Sequence, residues 1–168
     1  MPNSFAPPAY HAFTFCYQGI ALQLITHADI ICGSDVFHTK QALWDTGASI
    51  TCISNQVATD LSLVSSGKQT IHTPGGQKIV NTYLVDIGLP NSVVISDVPV
   101  CDSAIGDQGL DILIGMDLIS RGDFAVTQQN NKTMFSFCFP SRKSIDFVAQ
   151  IKVQQKVGQS HKKKQRKK

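Results

Sequence analysis

The sequence predicts an all-β domain, a barrel or sandwich of many short strands with two short helices. Three observations carry that prediction. All twelve acidic residues are aspartate, and glutamate, the better helix former, is absent. Apolar residues recur at every second position over short stretches, as in Tyr83, Val85, Ile87 and Leu89. Turn-forming groups such as Thr73-Pro74-Gly75-Gly76 and Gln129-Asn130-Asn131 separate the stretches. A chain of 168 residues with 42% hydrophobic content matches one compact domain plus tails and is long enough to bury a core without staples.

The elements follow in order. Residues 1–17 contain prolines and aromatics without a clear period and read as an arm of uncertain order. GIALQLITHADIIC, 19–32, reads as a strand or two, and HTKQALW, 38–44, as a strand running into an aspartate. In ISNQVATDLSLV, 53–64, Ser54 or Asn55 can cap a short helix whose Val57, Ala58 and Leu61 share a face. Thr73-Pro74-Gly75-Gly76 has Pro and Gly at the centre of a type II turn and predicts a hairpin tip. NTYLVDIGLP and VVISDVPVC read as half-buried antiparallel strands, with Pro99 marking an edge or a strand end. Past the loop GDQG, the apolar run of DILIGMDLIS stops at Gly115 and continues as a short helix. DFAVTQQNNKTMFSFCF predicts a hairpin with Phe135, Phe137 and Phe139 on one face. In SIDFVAQIKV, apolar residues alternate from 145 to 153, which predicts an extra strand, and the last dozen residues are polar and basic enough to predict disorder. The expected organisation is an arm at 1–17, a domain at 18–140 and an extension at 141–168 with a basic disordered tail.

Charge is unevenly spread. The formal charge is +3, but KKKQRKK at 162–168 holds six of the fifteen basic residues, leaving nine against twelve acids and a slightly acidic body. The tail reads as a solvated end, or as a tether to nucleic acid or an acidic surface with strong salt dependence. No aromatic is interleaved with it, so base-specific recognition is unsupported. Five scattered cysteines without a Cys-x-x-Cys pair indicate neither a disulfide framework nor a zinc site, and a reducing compartment fits best. His27, Cys32 and His38 match no ordinary metal spacing, so no metal or cofactor is expected. The N-terminus lacks the basic and apolar regions of a signal peptide, and no apolar run approaches a membrane span. A soluble, cytoplasmic protein is the expectation.

One stretch asks for a chemical explanation. QALWDTGASITCIS, 41–54, drives an apolar run straight into Asp45, which a surface turn would not need. Thr46 can lock the turn with its hydroxyl, and Gly47 lets backbone N–H groups approach the carboxylate closely. The plainer reading is an Asx-turn in which Asp45 only bonds its own backbone.

LWDTGAS, a Pro-Gly-Gly hairpin tip about thirty residues on, and ILIGMD some forty further resemble the retropepsin-type aspartic proteases over roughly residues 20–140. The resemblance implies a closed barrel of short strands, an acid-protease half fold completed by homodimerisation. It implies Asp45, Thr46 and Gly47 as the catalytic loop and Pro74, Gly75 and Gly76 as a flap over a peptide substrate. Ile112-Leu113-Ile114-Gly115 becomes the run that crosses behind the loop, and Ala48 and Ser49 lend the site structural support. Thr46 would bond across the dimer axis. Aspartic protease chemistry needs two carboxylates sharing one proton, and the chain carries one Asp-Thr-Gly and no internal repeat, so the second Asp45 must come from another copy. Alanine at 48 offers no hydroxyl to an ionised carboxylate, which predicts activity at milder pH than serine there would give.

Departures from the family pattern also carry expectations. Trp44 stands where a smaller aliphatic residue is usual and could fill the core, narrow the cleft or raise the pKa of the carboxylate pair. Met116-Asp117 replaces the arginine that retroviral members place after the apolar run, so the arm, the 123–139 hairpin and the 145–153 segment compete as dimer contacts. Asp111 and Asp117 read as turn or helix-end residues. Two functions from different classes follow: a homodimeric aspartic endopeptidase, or a non-catalytic peptide-binding or dimerisation module with the same fold, tethered by its tail.

Overall fold

A computed structural model describes residues 9–73 and 75–165, with side chains as far as Lys156. The elements run β1 (His11–Cys16), β2 (Leu24–Cys32), β3 (Asp35–Trp44), β4 (Cys52–Ser54), α1 (Asn55–Asp60), β5 (Gly67–Thr73), β6 (Gly76–Gly88), β7 (Val94–Ser103), a 3₁₀ turn (Ala104–Gln108), β8 (Ile112–Ile114), α2 (Met116–Ile119), β9 (Asp123–Gln129), β10 (Lys132–Phe139) and α3 (Phe147–Gln165). No described helix is long and apolar enough to cross a membrane.

Six strands close into a barrel in the order β2-β3-β8-β4-β7-β6, and β6 returns to β2 through Asp29 opposite Gly88 and Ile31 opposite Asp86. Closure removes the free edges that an open sheet of these strands would expose. The alternation read from the sequence is the barrel's inside and outside: Tyr83, Val85 and Ile87 are buried while Leu84 between them faces solvent. Pro99 lies opposite Leu84 on β7, where β4, which pairs only with Cys101–Ser103, leaves the other side of the strand open. A proline without an N–H is tolerated there. Ser54 caps α1, its hydroxyl accepting from the Val57 N–H at 3.2 Å, and Val57 and Ala58 turn inward.

β5 pairs with β6 alone, so this hairpin extends beyond the barrel. Thr73 lies opposite Gly76, which leaves a two-residue tip. Gly76 sits at φ 104°, a conformation that side-chain-bearing residues rarely adopt, and its carbonyl accepts from the Thr73 hydroxyl at 2.9 Å. Pro74 of the expected tip lies outside the described residues.

A second sheet, β1-β10-β9, packs against the barrel. Asn130 and Asn131 both take positive φ (53° and 58°), matching the tight two-residue turn that favours Asn at its centre. Phe135 and Phe137 are fully buried, and with Phe13 and Phe124 they surround the Trp44 ring at centroid distances of 4.9–6.2 Å. Phe139 packs at the margin of the same core.

Two expectations are corrected. The arm is not irregular at its inner end: His11–Cys16 is a strand paired along its length with β10, because Phe13 is needed as a wall of the aromatic cluster. Residues 1–8 lie outside the described residues. The predicted strand at 145–153 is instead the start of α3. Asp146 accepts from the Ala149 N–H at 3.0 Å, a side-chain cap that starts a helix, and no proline follows to stop it. The helix continues to Gln165, through much of the stretch whose composition predicts disorder; residues 166–168 lie outside the described residues.

Candidate active site

The Asp45 loop is built by β8 lying between the strands before and after it. β3 pairs with β8 in parallel through Ala42–Ile112, Leu43–Leu113 and Trp44–Ile114. β4 pairs with the other side of β8, antiparallel, through Cys52–Leu113 and Ile53–Ile112. Residues 45–51 therefore bridge over the end of β8, and the run Ile112-Leu113-Ile114-Gly115 passes behind them. Asp111, at the entrance to β8, locks both neighbours: its N–H donates to the Gln41 carbonyl, its carbonyl accepts from the Ser54 N–H, and its carboxylate accepts from the Thr39 hydroxyl.

Within the loop, the Asp45 N–H donates to the Ile114 carbonyl at 2.9 Å, and the Gly47 N–H donates to Asp45 Oδ1 at 2.8 Å. A Cβ on Gly47 would stand 3.1 Å from that same oxygen, tighter than ordinary packing tolerates without displacement. The Ala48 N–H donates to the Asp45 carbonyl at 3.2 Å, and the Ala48 carbonyl accepts from the Met116 N–H at 2.8 Å. Asp45 and Ala48 are half-buried, whereas Thr46, Gly47 and Ser49 face solvent. Asp45 thus makes the Asx-type bond that the plainer reading expected, on a loop tied at both ends to the crossing run.

The brace under this loop escaped sequence reasoning. Thr51 is fully buried; its hydroxyl donates to Asp117 Oδ1 at 2.8 Å and accepts from the Gly115 N–H at 3.1 Å, while its N–H donates to Asp117 Oδ2 at 3.1 Å. Asp117 also accepts from the Leu118 N–H at 3.0 Å, so the residue read as a helix end holds the loop to the run. Gly115 is the crossing point. A Cβ there would lie 2.7 Å from the Ile50 carbonyl carbon, a backbone clash without a flexible partner to yield. A threonine between apolar neighbours and an aspartate 66 residues on give no local hint of each other.

Trp44 points away from the loop, its Nε1 donating to Thr26 Oγ1 at 3.0 Å inside the aromatic cluster. Of its three predicted roles, core filling is the one its contacts match. Gly75 and Gly76 sit at the β5–β6 tip, apart in the fold from the loop's own hydrogen bonds. A surface cavity of about 460 Å³ between α1 and the barrel is lined by Asn55, Ala58, Thr59, Leu63, Tyr83 and Asp102, none of them a loop residue. There the Tyr83 hydroxyl donates to Asp102 at 3.0 Å, and burial first and that carboxylate second push the phenol's pKa up. Among the described residues no group of three His, Cys or Asp side chains could hold a metal ion.

A family model described as "gag-polyprotein putative aspartyl protease" matches residues 38–121, half of the chain. Among solved structures, a retropepsin-like aspartic protease from Rickettsia conorii aligns at 12% identity and a TM-score of 0.49, over 80% of this chain and 99% of that one. The Simian Foamy Virus (mac) protease aligns at 20% identity and a TM-score of 0.40, over 58% of this chain and 92% of that one. No curated protein sequence matches the chain.

Proposed function

Because the chain belongs to the gag-polyprotein aspartyl protease family, we propose that it is an aspartic endopeptidase whose site is shared by two copies, each contributing Asp45. One carboxylate takes a proton from a water as its oxygen attacks the scissile carbonyl, while the other, protonated, donates to the carbonyl oxygen. The tetrahedral intermediate then collapses: the C–N bond breaks, the nitrogen leaves with a proton, and the pair returns to its single shared proton. Two carboxylates that close cannot both stay ionised, which keeps the pair in the one-proton state the reaction uses.

The observation that carries this reading is the single Asp45-Thr46-Gly47 loop held over the end of β8 by bonds at Ile114, Met116 and Thr51. Rigid backing matters because the reaction depends on placing two carboxylates and a water within hydrogen-bond reach. Thr46, exposed beside Asp45, is available to bond the opposite copy's loop across the two-fold axis. The β5–β6 hairpin, extending beyond the barrel, serves as the flap, with Pro74, Gly75 and Gly76 at its tip and its backbone gripping an extended peptide by added-strand hydrogen bonds. No metal or cofactor enters the reaction.

The deciding experiment is cleavage of a peptide library by the wild type and by Asp45→Asn, alongside molecular mass in solution. Cleavage by the wild-type dimer and none by the variant is expected. Equal cleavage by both rejects the mechanism, an active monomer rejects the shared pair, and peptide binding without cleavage makes the chain a binding module of the same fold.

A further inference from the structure

Two sulfurs face each other behind the Asp45 loop. Cys52 and Cys101 are register partners on the parallel strands β4 and β7, and their Sγ atoms stand 3.0 Å apart in a thiol–thiol hydrogen bond. Neighbouring strands lie about 4.8 Å apart, inside the roughly 4.4–6.8 Å between Cα atoms that a disulfide spans. Closing the pair to the ~2.05 Å of an S–S bond asks for about 1 Å of movement. Cys101 is fully buried and Cys52 is partly exposed, so Cys52 is the residue of the pair open to solvent and Cys101 backs it. Their shared hydrogen bond is the chief influence on both, pushing the Cys52 thiol up and drawing Cys101 down, so the pair releases its first proton more readily than its second.

The location gives the pair its consequence. Cys52 directly follows Thr51, and the Cys101 N–H donates to the Thr51 carbonyl at 3.2 Å. Cys52 is also the register partner of Leu113 on β8. Drawing Cys52 toward β7 therefore pulls on the residue whose side chain ties Gly115 to Asp117.

We propose that Cys52 and Cys101 form a reversible redox-modification site, at which hydrogen peroxide converts the two thiols to a disulfide that slackens the brace under Asp45. The hydrogen bond favours the shared proton on Cys52, and its transfer across the 3.0 Å contact to Cys101 frees the Cys52 thiolate, which attacks one peroxide oxygen; the O–O bond breaks, leaving Cys52 as a sulfenic acid and releasing hydroxide. The Cys101 sulfur then attacks the Cys52 sulfur, the S–S bond forms and the S–O bond breaks, and the Cys101 proton leaves with that hydroxyl as water. The first hydroxide takes up the proton the pair had released. In sum two thiols and one peroxide give one disulfide and two waters, with two electrons passing from sulfur to peroxide. A dithiol reductant restores both thiols by two exchange steps.

The effect on cleavage rests on the proposed function, whereas the sulfur chemistry does not, and the test separates them. The full chain is treated with hydrogen peroxide, alkylated and mapped without reduction. A peptide joining Cys52 to Cys101 is expected, together with faster amide exchange at Thr51 and Gly115 and a roughly tenfold fall in cleavage, reversed by dithiothreitol. Cys52→Ser and Cys101→Ala should each lose the link and the sensitivity, and a variant with serine at 16, 32 and 138 should keep both. Absence of the link, or a link with unchanged amide exchange, overturns the proposal. A reduced wild type that cleaves nothing overturns the proposed function, and mapping and exchange still decide the sulfur site.

Discussion

The Trp44 indole donates to the buried Thr26 hydroxyl at 3.0 Å, and this bond fixes which way the last residue of β3 faces. The ring turns into the aromatic cluster of Phe13, Phe124, Phe135 and Phe137, and the next residue along the strand, Asp45, falls on the loop side. Trp44→Phe should keep most of the packing and lose the bond, costing about 1 kcal/mol. Trp44→Ala should cost about 3–5 kcal/mol, as expected for a large aromatic removed from a core. Urea unfolding of both variants measures the difference; a Phe variant as stable as the wild type would show that packing and not the bond sets the ring's position.

Thr51 should matter through its hydroxyl. Thr51→Val keeps the shape but strands the buried Gly115 N–H and removes one of the two bonds to Asp117 Oδ1, which keeps the Leu118 N–H, a loss of about 2–3 kcal/mol. Thr51→Ser should recover most of it. Unfolding free energies and cleavage rates of the two variants check this, and a Val variant as stable as the wild type would remove Thr51 from the brace.

The two loop glycines should fail differently. Gly115→Ala drives a Cβ against the Ile50 backbone and should leave little folded protein, read by circular dichroism and thermal melting. Gly47→Ala meets only the Asp45 carboxylate, so the fold should survive while cleavage falls sharply. Unchanged cleavage by Gly47→Ala would mean that the Gly47 N–H bond to Asp45 does not position the carboxylate.

Acid should release the link between β9 and the segment that joins β10 to α3. Asp123 accepts from the Ser141 hydroxyl and from the Arg142 and Lys143 N–H groups, and these bonds, the Ser141 one foremost, lower its pKa below the usual carboxylate value. A carboxylate with a depressed folded pKa holds its partners above its ordinary pKa and lets them go as pH falls through the folded one. The amide resonances of Arg142 and Lys143 should therefore move together at a pH below that of an ordinary aspartate. Asp123→Asn should abolish the transition, and an identical titration in that variant would assign it elsewhere.

What could be read along the chain was local. Ser54 caps its helix through the N–H three residues ahead, Asn130-Asn131 turns a hairpin by itself, and Tyr83, Val85 and Ile87 declare an inside and an outside wherever the strand ends up. SIDFVAQIKV misled for the same reason: its alternation matched a strand, but Asp146 capping Ala149 began a helix. The strand character of His11–Cys16 was hidden because it depends on β10, more than a hundred residues away.

By itself the sequence determined the β-rich class, the placing of Asp45-Thr46-Gly47 at a strand end, and the presence of one such motif per chain, because turn chemistry, alternation and capping act over a few residues. Tertiary structure alone decided that β3 and β4 flank β8, that Thr51 meets Asp117 across 66 residues and that Cys52 meets Cys101 across 49. Those contacts follow from strand register and barrel closure, and register is a property of two strands together, which neither strand's residues specify alone.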